Sequence, residues 1–128
     1  MAGPDAMIRL LARTIAAVTV AASLSGCGSS ATAPRDDIGT VAASSDLQFA
    51  PGTIRVVLRG ESTPTATVTW VFQNVMHSVV WDAQPVGATV LDVGTTSNAS
   101  VSRGFHLAGT YTYHCSIHNS MTGTIIVE

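Results

Sequence analysis

Within Tyr111-Thr112-Tyr113-His114-Cys115-Ser116-Ile117-His118-Asn119-Ser120-Met121-Thr122-Gly123, a thiol, an imidazole and a thioether follow one another at Cys-x2-His-x2-Met spacing. Thiolate and thioether are soft donors and imidazole is borderline, a combination that suits copper better than any hard cation. Cys115, His118 and Met121 lie on one short loop and so restrain one another. A mononuclear site needs one further imidazole, and His77, far upstream, is the candidate. Two His and one Cys in a plane with a weak axial Met form a ligand set that supports one-electron exchange at copper. Thiolate and thioether favour Cu(I) and imidazole tolerates both oxidation states.

Other chemistries of these residue types fit less well. Cys-x2-His is also half of a zinc site, but zinc would want another Cys or His in the cluster. The spare His114 is adjacent to Cys115, and strand alternation turns it to the other face. A Cys–His nucleophile requires an oriented base and an oxyanion site, and neither is marked. A binuclear copper centre would need two Cys in the loop, and a type 2 copper more His than the four present. Two function classes stay open, an electron carrier that is not an enzyme and a copper-binding protein for delivery or storage. A coloured, reversibly reducible form discriminates them.

The elements that must position these residues read as strands. Runs of Val, Ile, Thr and aromatics alternate with Gly, Pro, Asn and Asp clusters. Strands are expected at Leu47–Phe49, Ile54–Leu58, Thr65–Phe72, Val75–Trp81, Val101–Leu107, Thr110–Cys115 and Thr122–Val127, with a weaker one at Gly87–Asp92. In Thr65–Phe72 the period of two puts Ala66, Val68, Trp70 and Phe72 on one face. No helical period is sustained. Several short strands at this spacing predict an all-β sandwich or barrel. Trp70, Phe72, Phe49 and Phe105 are expected in its core, and Trp70 is read as packing rather than as an electron relay. Trp81, beside Asp82 near a strand end, is consistent with either. His106 and His114 are expected at the surface.

The N-terminal quarter differs in character. Arg9 and Arg13 lead an apolar run from Thr14 to Leu24 that ends in Leu24-Ser25-Gly26-Cys27. A basic start, a short apolar centre and a small-residue end describe a secretory signal, shorter than the roughly 20 residues of a membrane span. Leu-Ser-Gly-Cys resembles the lipobox of bacterial lipoproteins. That resemblance implies cleavage before Cys27, lipidation of its sulfur and anchoring of the protein to a membrane of the cell envelope. Residues 1–26 are then the signal peptide, 27–45 a lipidated flexible tether, and 46–128 the folded domain, which begins near Val41 at the earliest. Cys115 would be the one thiol left in an oxidising compartment. The chain has formal net charge −2 and its basic residues are all Arg. No basic patch supports nucleic-acid binding.

The residues from Gly109 to His118 resemble the closing strand and ligand loop of the cupredoxins. Phe49-Ala50-Pro51, Val68-Thr69-Trp70-Val71 and His77-Ser78-Val79-Val80-Trp81 are similar to earlier landmarks of that family. The ligand spacing is that of amicyanin, shorter between His and Met than in plastocyanin. The resemblance implies a Greek-key β-sandwich holding one copper ion through His77, Cys115, His118 and Met121. It further implies one-electron transfer in the cell envelope with a redox protein partner, such as a cytochrome or a copper- or quinone-linked enzyme. Relatives usually carry Asn after the first His and Pro two residues after the Cys; here these are Ser78 and Ile117. Since Ile, unlike Pro, has a backbone N–H, Ser78 and Ile117 are both expected to donate backbone hydrogen bonds to the Cys115 sulfur.

Overall fold

The structure is a computed structural model and describes residues 36–128. These form nine strands in two sheets: β1 (Ile38–Ala43), β2 (Phe49–Ala50), β3 (Thr53–Val56), β4 (Ala66–Phe72), β5 (His77–Ala83), β6 (Val93–Thr96), β7 (Ala99–Phe105), β8 (Gly109–Cys115) and β9 (His118–Val127). One sheet runs β2-β1-β4-β7 and the other β3-β9-β8-β5-β6. No helix occurs among the described residues, as the all-β reading requires. β1 pairs parallel to β4, and β3 parallel to β9, while the remaining pairs are antiparallel. The expected signal peptide and Cys27 lie outside the described residues.

Alternation produces the layers. β4 buries Ala66, Val68, Trp70 and Phe72, the face expected from the sequence. Their counterparts across the sandwich are Val79 of β5, Tyr111 and Tyr113 of β8, and Ile125 and Val127 of β9. Full burial of side chains of this size contributes roughly 1.5–3 kcal/mol each. The aromatics meet edge to face: Trp70 with Tyr113 at 5.6 Å between ring centroids, Phe49 with Tyr113 at 4.8 Å, and Phe105 with Tyr111 at 4.9 Å. Trp81 is half-buried over this cluster, 5.5 Å from Tyr113 and 6.0 Å from Trp70, and its indole N–H donates to the Leu91 carbonyl. It packs, like Trp70, as part of the core.

Two expectations are corrected. Residues 38–43, assigned to a tether ending at residue 45, are strand β1, with Val41 and Ala43 fully buried. Small residues are required here. A Cβ on Gly39 would strike the Ile54 side chain and come within 3.0 Å of Val56 Cγ1. The glycine that reads as linker is therefore a fit to β3. The second correction is Gly87–Asp92, expected as a weak strand but folded as a loop, with β6 following it. Side chains take the place of a ladder there. Gln84 brackets Val90, accepting from its N–H and donating to its carbonyl. Arg103 donates to the carbonyls of Leu91 and Asp92.

Candidate metal centre

His77 opens β5, Cys115 closes β8 and His118 opens β9. These three strand ends meet at one end of the sandwich. β8 and β9 are consecutive antiparallel neighbours joined through Ser116 and Ile117, so Cys115 and His118 face each other across the turn. β5 lies on the other side of β8, which carries His77 to the same place. His77 Nδ1 is 3.2 Å from His118 Nδ1, and Cys115 Sγ lies 4.0 Å from His77 Nδ1 and 3.6 Å from His118 Nδ1. Transition-metal bonds to imidazole and thiolate of roughly 2.0–2.3 Å, spread in a plane, separate the donors by about 3.5–3.8 Å. The donor triangle has that size, and the residues fit a single copper ion.

His77 is fully buried, and its orientation is set by a backbone group. Nε2 lies 3.0 Å from the Ser44 carbonyl oxygen, which can only accept, so Nε2 carries the proton and the Nδ1 lone pair faces Cys115. Burial lowers the pKa of His77; the Ser44 hydrogen bond opposes the shift and neighbouring His118 adds to it. Both the tautomer and the neutral form suit a metal ligand. Ser44 had no signal in the sequence. A serine whose carbonyl does the work is indistinguishable there from any loop residue.

Cys115 is buried and a free thiol. The backbone N–H of Ser78 donates to its sulfur at 3.4 Å, and the Ser78 hydroxyl lies 3.9 Å from it. The same hydroxyl accepts from the Ser116 N–H at 2.9 Å and is 2.8 Å from the Ser116 hydroxyl. The expected donation from Ile117 does not form. Ile117 sits in the two-residue turn between Cys115 and His118, half exposed, and only Ser78 among the described residues donates a backbone N–H to the sulfur. Met121, fourth of the expected ligands, is buried in β9 three residues beyond His118.

His114 projects from the opposite face of β8 and pairs with Asp82 of β5 at 2.7 Å. His106 is exposed and contacts Thr65 and Pro64. Neither reaches the donor cluster, which among the described residues comprises His77, Cys115 and His118, with ligand atoms within 4.8 Å of one another. Tyr113, two residues before Cys115, lies beneath the site. Burial pushes its hydroxyl up to about 12, a shift that the nearby Trp70 indole N–H partly offsets although the two do not meet in hydrogen-bond geometry.

Residues 37–128 match the family described as copper binding proteins, plastocyanin/azurin family. Among solved structures the chain is similar to several amicyanin variants. A reduced copper(I) form at pH 4 is 27% identical, with 77% of this chain and 89% of that one covered at a TM-score of 0.58. An oxidised variant is 26% identical over the same shares, also with a TM-score of 0.58. A third, in the reduced state, is 27% identical over 70% of this chain and 80% of its own, with a TM-score of 0.57. No curated protein sequence matches the chain.

Proposed function

Since the chain belongs to the plastocyanin/azurin family of copper-binding proteins, we propose that it carries single electrons between redox partners in the cell envelope. One copper ion, held by His77, Cys115, His118 and Met121, supplies the one-electron couple. The observation behind this reading is a preformed donor set in which His77 and Cys115 are buried and His118 alone of the three is partly exposed.

Each residue has a distinct task. His77, locked by Ser44, presents Nδ1 without having to turn its ring. Cys115 provides a thiolate sheltered from solvent and oxidants, steadied by the Ser78 N–H. His118 joins the buried centre to the surface and is the contact through which an electron leaves toward a docked partner. Met121 offers a weak thioether ligand that tunes the potential. Because strand ends rather than a mobile loop hold the donors, little of the protein must rearrange when the charge changes. That rigidity favours a carrier over a delivery protein, which has to open its site to release the ion.

The partner in this reading is a redox protein such as a cytochrome or a copper- or quinone-linked enzyme. Leu24-Ser25-Gly26-Cys27 supports attachment to the membrane through a lipidated Cys27. The test is an optical spectrum with copper quantification on the fragment beginning after Cys27. One copper per chain and an intense, reversibly bleached band are expected, and Cys115→Ser should abolish the band. A colourless protein that holds only Cu(I) would instead support delivery or storage. For anchoring, Cys27→Ser in the full chain should move the protein out of the detergent phase, and unchanged partitioning would overturn the lipid anchor.

A further inference from the structure

The Ser78 hydroxyl is placed to do more than hold the ligand loop. It accepts the Ser116 N–H at 2.9 Å and faces the Ser116 hydroxyl at 2.8 Å, with Cys115 Sγ 3.9 Å away. Each serine has one hydroxyl proton, and each hydroxyl oxygen accepts at two lone pairs. If the Ser116 O–H donates to Ser78 Oγ, both lone pairs of Ser78 Oγ are filled. Its own proton then has the Cys115 sulfur as acceptor. In the reverse arrangement the Ser78 proton goes to Ser116 and the sulfur receives the backbone N–H alone. A buried negatively charged sulfur strengthens hydrogen bonds made to it, so a thiolate selects the first arrangement.

We propose that Ser78 is a positioning and tuning residue that gives the Cys115 thiolate two donors, its backbone N–H and its hydroxyl, with Ser116 orienting the hydroxyl toward sulfur. This rests on the copper reading above. Ser116 is half of the device: exposed, at the start of the turn, it directs its hydroxyl inward to the nearly buried Ser78. Donors to the thiolate withdraw charge from it and weaken its donation to copper, which favours the reduced state.

The test compares three variants by reduction potential and by the copper–thiolate stretching frequency. Ser78→Ala removes the hydroxyl donor and retains the backbone N–H. It should shift the Cu(I):Cu(II) ratio at a fixed poise roughly fivefold toward Cu(II), about 40 mV at 59 mV per tenfold for one electron, and raise the stretching frequency. Ser78→Thr keeps a hydroxyl and should restore both values. Ser116→Ala breaks the serine–serine contact as thoroughly as Ser78→Ala does, yet leaves the Ser78 hydroxyl able to reach sulfur without its orienting partner, so it should shift both values in the same direction but by clearly less than Ser78→Ala. Equal shifts in Ser78→Ala and Ser116→Ala would mean that the pair acts only by holding the loop, and would overturn the proposal. So would an unshifted Ser78→Ala. In the cadmium-substituted parent, which needs no substitution, the Ser78 hydroxyl proton should couple to cadmium through the sulfur; no coupling would also count against it. A parent protein with no thiolate-to-copper band would refute the copper reading itself, an outcome separate from all of these.

Discussion

The carbonyl oxygen of Ser44 lies 3.0 Å from Nε2 of His77, and this one backbone group decides which nitrogen His77 turns toward Cys115. Ser44 directly follows β1 and is held in its turn by exchange with Gln48 and Leu47. A strand in one sheet thus sets the tautomer of a ligand in the other. Because β1 was read from the sequence as tether, the connection emerges only in the folded chain.

The lowered pKa of His77 has a consequence for stability in the metal-free protein. Burial depresses the folded-state value below the ordinary 6.5, so in acid the unfolded chain binds a proton that the folded chain resists. Stability from this group is fully present above about pH 6.5 and is lost as the pH falls toward the folded-state pKa. Thermal unfolding of the metal-free protein at about pH 8 and pH 5 should show a larger loss for the parent than for His77→Gln. An equal loss in both would mean that His77 does not carry the effect.

Replacement of Ile117 now carries a different expectation from the one its backbone N–H suggested. Its N–H makes no hydrogen bond to Cys115 Sγ, whose backbone donor is Ser78. Ile117→Pro should therefore leave the potential and the charge-transfer band close to those of the parent. A drop of some 40 mV, the worth of about one kcal/mol in a one-electron couple, would show that the holo form recruits the Ile117 N–H after all.

Gly123 stands opposite Tyr113 in the β8–β9 ladder, and the tyrosine ring lies across it. A Cβ at this position would fall 2.7 Å from Tyr113 Cε2 and closer still to Cζ and Oη. Gly123→Ala should cost roughly 1–3 kcal/mol, the range for overpacking, measured by denaturant unfolding. Combining it with Tyr113→Ala should recover part of that loss relative to the sum of the single changes. Strict additivity would place the strain elsewhere.

The domain boundary can be checked by truncation. A fragment starting at residue 46 lacks β1, and with it both neighbours' pairing, to β2 and to β4, and the buried Val41 and Ala43. It should fail to show cooperative unfolding, whereas one starting at residue 36 should unfold in a single transition. A cooperative 46–128 fragment would make β1 dispensable.

Legible in the sequence alone were the all-β class, most strand positions and the Cys115 and His118 members of the donor cluster. These are local properties. Alternation in β4 and β8 is a period of two, and the Cys-x2-His-x2-Met spacing lies within one β8–β9 hairpin. The core role of Trp70 followed from the same alternation. Tertiary structure decided what depends on pairing across the chain. β1 carries the strand formers Ile38, Thr40 and Val41, but it continues a Gly-, Ser- and Ala-rich stretch without a break, and what marks it off is the ladder that β4 supplies and the fit of Gly39 against β3. Gly87–Asp92 looks apolar enough for a strand but is claimed by Gln84 and Arg103. The donors to Cys115 sulfur, likewise, were set by the folded chain: the backbone N–H of Ile117 is available in principle but makes no hydrogen bond to the sulfur, while that of Ser78, from a strand 37 residues earlier, does. Residue types specify which atoms are capable of donating, but only the packed arrangement of the strands determines which of them arrive.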